Sequence, residues 1–221
     1  MSTVKLKWLG HAGFEITIDG KNIVVDPFIS ENPKCTLKLI DVVKADIVAL
    51  THNHFDHRGD CIEIAKRDGA SFVCSYENKT VAEEYGLDDI VSLNIGGSCV
   101  VKGITIVCTT AQHSGNPCGF VFIGKSGSVY HAGDTGLFGD MALIGELYTP
   151  DVALLPIGGH YTMGPNEASK AAELLRAKVI IPMHYDTFDV IKQNPKEFKA
   201  LVQKRIKSKV AIIKEGQSLV I

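Results

Sequence analysis

An α/β fold of two facing β-sheets with helices on their outer faces is what this sequence predicts, and three observations predict it. Strand-like and helix-like segments follow an order that duplicates: a β-meander, alternating β and α, a second meander, then alternating β and α again. Two sheets packed face to face with helices outside satisfy that order. The chain has 221 residues, 45% of them apolar, which is enough for one sizeable core, and no Pro- or Ser-rich linker interrupts it, so residues 1–221 are expected to form one domain. Metal-ligand side chains also fall repeatedly just past predicted strands. In layered α/β folds such positions converge on one rim.

The elements follow in order. Val4 to Leu9 reads as a strand, because Val4, Leu6 and Trp8 alternate with Lys5 and Lys7. Gly10-His11-Ala12-Gly13 breaks it. Phe14 to Ile18 alternates again, Asp19-Gly20 is a hairpin turn signal, and Asn22 to Asp26 is a third strand closed by Pro27. Thr36 to Lys44 is helical or irregular. Asp46 to Leu50 is a buried strand, Cys61 to Arg67 has helical spacing, Ser71 to Ser75 is a strand, and Glu77 to Tyr85 is a helix stopped by Gly86. Strand-like runs follow at 90–93, 98–101, 104–109, 119–123 and 128–131. Leu137 to Leu147 reads as a helix and Val152 to Leu155 as a buried strand. Asn166 to Ala177 is the clearest helix: Pro165 suits its first turn, and Ala168, Ala171, Ala172 and Leu175 form an apolar stripe. Val179 to Pro182 is a strand, Pro195 to Lys204 a helix, and two short strands close the chain.

Charge and cysteine content exclude several classes. With 23 basic against 25 acidic side chains, the chain carries no electrostatic footprint for nucleic acid. The late Lys and Arg residues have helical spacing and read as a solvated face. None of the six cysteines forms a C-x-x-C pair, so neither a zinc ribbon nor a redox dithiol is indicated. The N-terminus has no signal-peptide core and no apolar run approaches membrane-spanning length. A soluble, reduced, cytoplasmic protein is the expectation.

The chemistry gathers at Thr51-His52-Asn53-His54-Phe55-Asp56-His57, directly after the apolar run Ile47-Val48-Ala49-Leu50. Imidazoles are the commonest nitrogen ligands for zinc-like ions, and carboxylates also serve. If the backbone leaves the strand extended, His52 and His54 point to one side. Asp56 and His57 then follow in a turn. Of the eight histidines, His113 and His184 also follow predicted strands, as does Asp134 in His131-Ala132-Gly133-Asp134-Thr135-Gly136. Seven ligands exceed what one tetrahedral ion needs. They suit two ions about 3.5–4 Å apart, with the glycine-flanked Asp134 as the bridging carboxylate.

This pattern, H-x-H-x-D-H followed by a single His, an Asp and a last His, resembles the metallo-β-lactamase superfamily from His52 to His184. The resemblance implies the αββα sandwich of two mixed sheets. It places His52, His54 and His113 on one metal, Asp56, His57 and His184 on the other, and Asp134 between them. Trp8-Leu9-Gly10-His11-Ala12-Gly13-Phe14, Asp26-Pro27-Phe28 and His131-Ala132-Gly133-Asp134-Thr135-Gly136 are similar to the small metal-dependent hydrolases related to ascorbate-phosphate lactonase. The di-iron redox members of the superfamily carry glutamate where this chain has His54, which argues against redox use. No flavodoxin-like extension and no basic tRNA-clamping arm is evident. Two divalent ions are therefore expected, zinc first, with manganese or iron as alternatives.

The expected function is a dinuclear metal hydrolase. A hydroxide held by both ions would attack a small ester, lactone or phosphodiester, with Asp56 ligating one ion and orienting the hydroxide. His160, in Gly158-Gly159-His160-Tyr161-Thr162, follows a strand and is either a leaving-group acid, a substrate contact or a structural histidine. The helix beginning at Asn166, with Thr162, could receive an anionic or phosphorylated small molecule. His11 is a substrate contact, a supporting group or a turn histidine. Asp26 could orient a ligand imidazole through its other nitrogen, and His131 should point away from Asp134. A non-catalytic metal-binding sensor and a nuclease on the same fold are the competing functions. No membrane partner is expected and nucleic acid is disfavoured. A homo-oligomer stays open, because the short chain leaves few loops to shape a pocket.

Overall fold

Three hairpin-linked strands start the chain, β1 (Lys5–Gly10), β2 (Gly13–Ile18) and β3 (Lys21–Val25), and they pair antiparallel as their alternation predicts. The computed structural model of the chain describes residues 3–221. Beyond β3 the sheet turns parallel, through β4 (Ile47–Leu50), β5 (Ser71–Ser75) and β6 (Ile90–Leu93). The turn at Asp19-Gly20 is too short for anything but an antiparallel pair. The crossovers carrying α1 (Phe55–Arg58), α2 (Cys61–Asp68) and α3 (Lys79–Glu84) return the chain to its starting edge and so make parallel pairs.

The second sheet repeats this plan. β7 (Ser98–Val101), β8 (Ile104–Thr110), β9 (Cys118–Gly124) and β10 (Gly127–His131) pair antiparallel. β11 (Val152–Pro156), β12 (Val179–Met183) and β13 (Lys209–Val210) then add in parallel, with α4 (Met141–Tyr148), α5 (Pro165–Leu175) and α6 (Pro195–Arg205) in the connections. β14 (Ser218–Val220) goes back to the first sheet and pairs with β1. The duplicated order in the sequence is thus a duplicated sheet, seven strands in each.

The inner faces share one core, in which Phe14 and Ile16 of β2 join Phe120 and Phe122 of β9 and Tyr130 of β10. A second cluster lies on the outer face of the first sheet, where Val48, Leu50 and Phe72 meet Cys61, Ile64 and Ala65 of α2. β4 is covered on both sides, which is why its sequence is an unbroken apolar run. Ala168, Ala171, Ala172 and Leu175 are the buried stripe of α5, as the periodicity predicts. All six cysteines are unpaired. No helix among the described residues is long and apolar enough to cross a membrane.

Two elements differ from expectation. The helix expected from Leu137 begins at Met141. Residues before it are tied to the loop after β8: Gly136 N–H donates to the Gln112 carbonyl at 3.0 Å, and Gln112 N–H donates to Thr135 Oγ1 at 2.9 Å. Those bonds keep the segment out of the helix, and a turn at Gly139 and Asp140 leads into Met141. The turn expected at Asp56 and His57 is one turn of helix, because the His54 carbonyl accepts N–H bonds from both His57 (3.1 Å) and Arg58 (2.8 Å). Thr36 to Lys44 is irregular apart from a 3₁₀ turn at Leu39–Asp41.

Candidate metal centre

The ends of four strands bring the seven predicted ligands together. β4 runs into His52 and His54, β8 leads to His113, β10 to Asp134 and β12 to His184. His54 Nδ1 lies 3.0 Å from His52 Nε2 and 3.3 Å from His113 Nε2, so three imidazole nitrogens face one point. A second group, Asp56, His57, His184 and also His11, has its ligand atoms within 4.8 Å of one another. Asp134 reaches both groups. Its Oδ2 is 3.0 Å from His184 Nε2 and 3.6 Å from His113 Nε2, and its Oδ1 is 3.3 Å from His57 Nε2.

Backbone geometry shapes these approaches. Gly133 has φ +61°, and a Cβ there would stand 2.6 Å from the Cys118 carbonyl oxygen, so only glycine lets the Asp134 loop pass β9. Gly115 has φ +77°, and a Cβ would meet His54 Nε2 at 3.0 Å. Three side-chain-bearing residues at the site also have positive φ: His11 (51°), Asp26 (44°) and His184 (55°). Such backbones cost about 1–3 kcal/mol each and persist only where the surroundings over-determine them. Here His184 N–H donates to the His11 carbonyl at 2.9 Å, and Trp8 Nε1–H donates to the same oxygen at 3.0 Å.

Asp26 lies behind His57. Its Oδ2 accepts from His57 Nδ1 at 2.7 Å and from the Thr51 hydroxyl at 2.5 Å, while Oδ1 accepts from Thr51 N–H at 2.9 Å. Both oxygens are thereby committed, so Asp26 orients His57 and leaves the His57 Nε2 facing inward. His11 is fully buried between Thr187 Oγ1, 2.8 Å from its Nδ1, and Asp56 Oδ2, 3.1 Å from its Nε2.

The electrostatics fit a cation. Burial alone would lower the His57 pKa, yet the Asp134 and Asp26 carboxylates outweigh it and hold the imidazole well above 6.5. Burial would raise Asp134, but His184 and His57 hold it well below the usual carboxylate range. Burial pushes His52 down to about 2, with His57 adding to the effect. Without a cation, His57 carries the positive charge the carboxylates demand. His57 Nε2, Asp134 Oδ1 and both ring nitrogens of His184 are buried with no hydrogen-bond partner among the described residues. His57 Nε2 and His184 Nε2 do lie close to Asp134 oxygens, but the angles make no hydrogen bond, so the contacts are electrostatic. Buried polar atoms left this way are costly unless something fills the space between them. Lone pairs from imidazole and carboxylate converging there are the donor set of a zinc-like ion.

The other predicted site residues are not drawn in. His160 is exposed, its ring edge-on to Tyr161 at 4.6 Å, because Gly159 (φ +85°) turns the loop back so that its N–H reaches the Met163 carbonyl. The Thr162 hydroxyl donates to the Met163 carbonyl, and Asn166 is exposed in the first turn of α5. His131 faces away from Asp134 and donates from Nε2 to the Ala12 carbonyl at 2.8 Å, a structural role. A cleft of about 590 Å³ opens in front of Asp56, His113, Asp134 and His184, and its walls are Phe55, Tyr161, Phe188, Val190 and Ile191. Sequence reasoning missed these wall residues and Thr187. The usable signal was a large aromatic, Phe55, inside a metal-ligand motif.

Comparison with known proteins gives the family. The profile of the Beta-lactamase superfamily domain matches residues 5–184. A UPF0173 metal-dependent hydrolase of Methanopyrus kandleri is 49% identical over 97% of this chain and 99% of its own. A protein of the same name from Staphylothermus marinus is 50% identical over 96% of this chain and 97% of its own. The structure of Igni18, described as a novel metallo hydrolase from Ignicoccus hospitalis, superposes with a TM-score of 0.94 at 42% identity, covering 100% of this chain and 99% of that one. The chain therefore belongs to the metallo-β-lactamase superfamily, among the UPF0173 metal-dependent hydrolases.

Proposed function

We propose that this protein is a hydrolase that works with two divalent cations, His52, His54 and His113 holding one, Asp56, His57 and His184 the other, and Asp134 touching both. The observation that carries the reading is the Asp134 carboxylate, placed within 3.6 Å of imidazole nitrogens from both groups while its Oδ1 has no hydrogen-bond partner. Nitrogen and carboxylate donors in this mixture suit zinc first, with manganese or iron also accepted. Bound there, such ions would supply Lewis acidity, lowering the pKa of water and polarising the bond to be cut. The chain's own groups prepare the site. Asp26 fixes the His57 ring, and Thr187 and Asp56 hold His11 between them. With Thr187 donating to Nδ1, His11 Nε2–H donates to Asp56 and orients that carboxylate. The cleft beside these groups has room for a small ester, lactone or phosphodiester.

Metal analysis of protein purified without added metal, followed by a panel of esters, lactones and bis-nitrophenyl phosphate with zinc or manganese restored, tests this reading. Asp134→Ala should lose metal and turnover together. A variant that keeps two ions per chain and full rate would remove Asp134 from its place between them.

A further inference from the structure

The cleft in front of the ligand groups keeps large apolar side chains in water. Phe55, Tyr161 and Val190 are 56%, 59% and 47% exposed, and half-buried Phe188 stands beside them. They are held in place rather than collapsed. Phe55 and Phe188 are 6.3 Å apart, and both rest on buried Phe28, at 5.7 Å and 6.4 Å. Apolar surface kept open costs hydration free energy and marks a binding site when it is contiguous. Asp56, His113, Asp134 and His184 line the same cleft, so its occupant is the molecule that meets them. Charge points the same way. Among the described residues lining the cleft there is no lysine or arginine, and the first turn of α5 lies outside it. Its non-ligand donors are the Ser114 and Tyr161 hydroxyls, so a phosphate or sulfate group would find no cation or helix N-terminus to balance its charge away from the His/Asp groups.

We propose that the substrate is an uncharged ester or lactone whose alkyl or aryl group packs against Phe55, Tyr161, Phe188 and Val190 while its carbonyl faces the His/Asp groups. This rests on the hydrolase reading above and narrows it. The reaction is hydrolysis: the oxygen of water bonds to the carbonyl carbon, the acyl C–O bond breaks, the departing alkoxide takes a proton from that water, and the acid formed releases its own to solvent.

Two measurements test it. Straight-chain carboxylates from acetate to octanoate are product analogues, and calorimetric titration of the zinc-loaded protein should show Kd falling about twofold to fourfold per methylene. The kcat/KM for nitrophenyl acetate, butyrate and hexanoate should rise in the same order and exceed that for nitrophenyl phosphate. Val190→Asp and Tyr161→Ala, at exposed positions where folding is not at risk, should flatten both trends. A Kd independent of chain length, or faster cleavage of the phosphomonoester, would overturn the inference and leave the hydrolase reading intact. Chain-dependent carboxylate binding with no ester or lactone cleaved would overturn the hydrolase reading, and the reaction with it, while the apolar class of ligand stands.

Discussion

Replacing Asp26 with asparagine keeps the shape of the side chain and removes its charge. The carboxylate is fully buried and accepts three hydrogen bonds, from His57 Nδ1 (2.7 Å), the Thr51 hydroxyl (2.5 Å) and Thr51 N–H (2.9 Å). Asparagine retains one acceptor oxygen, so whichever way its amide turns, an NH₂ group faces a donor. A buried donor left without an acceptor costs about 1–3 kcal/mol, and a hydrogen bond to a charged acceptor is worth about 1.5–3 kcal/mol. The metal-free variant should therefore unfold about 2–4 kcal/mol more easily in urea with a chelator present. Losing the carboxylate behind the His57 imidazole should also weaken the cation proposed there tenfold to a hundredfold, or about 1.4–2.8 kcal/mol, read by competition with a chromophoric chelator. The ion proposed at His52, His54 and His113 should be less affected, since Asp26 reaches that group only through the Thr51 hydroxyl, 3.1 Å from His52 Nδ1. In the metal-free variant the His57 imidazole should titrate lower by NMR, because one of its two carboxylate partners is gone. Metal affinity and metal-free stability both equal to the parent protein would refute the role given to Asp26.

Two further outcomes follow from the geometry. Gly133→Ala should destabilise the protein by about 1–3 kcal/mol and lower metal content, because the new methyl meets the Cys118 carbonyl at a positive φ; an unchanged Tm would show that the Asp134 loop has slack. Metal-free protein should lose stability as pH falls from 6.5 towards 4. Burial, then His184, pushes His11 down to about 4, and burial, then His57, pushes His52 down to about 2, so in that window the unfolded chain takes up protons the folded chain refuses. The His11 shift alone amounts to about 3 kcal/mol at full effect. His57, shifted upward, opposes the trend only near pH 6.5 and above, where the unfolded imidazole is still losing its proton; below about pH 5.5 it is protonated in both states. Urea midpoints that stay level between pH 5.5 and pH 4 would contradict this.

The gathering of these seven side chains was legible because their chemistry is local and their placement follows a rule. His52, His54, Asp56 and His57 lie within one short stretch, and His113, Asp134 and His184 each come shortly after an apolar run that becomes a strand. The αββα layering was legible from the order of elements, since short turns and helical crossovers dictate antiparallel and parallel pairs. What escaped depends on tertiary contacts. The start of α4 is set by hydrogen bonds to Gln112, about thirty residues upstream, which no local pattern contains. His11 reaches Asp56 because its own positive φ turns it inward, whereas Gly159 turns His160 outward, and neither sign of φ can be read from the residues. The apolar cleft is assembled from α1, the loop after β11 and the loop after β12, so its members share no spacing. The pairing of β14 with β1 joins the two ends of the chain and has no local signature either.

Anomalous diffraction at the zinc edge, from crystals grown with excess zinc, addresses the proposed two-cation centre most directly. Two peaks per chain are expected, one bounded by His52, His54 and His113 and the other by Asp56, His57 and His184, with the Asp134 carboxylate contacting both. A single peak, or strong peaks elsewhere with these imidazoles unliganded, would contradict it.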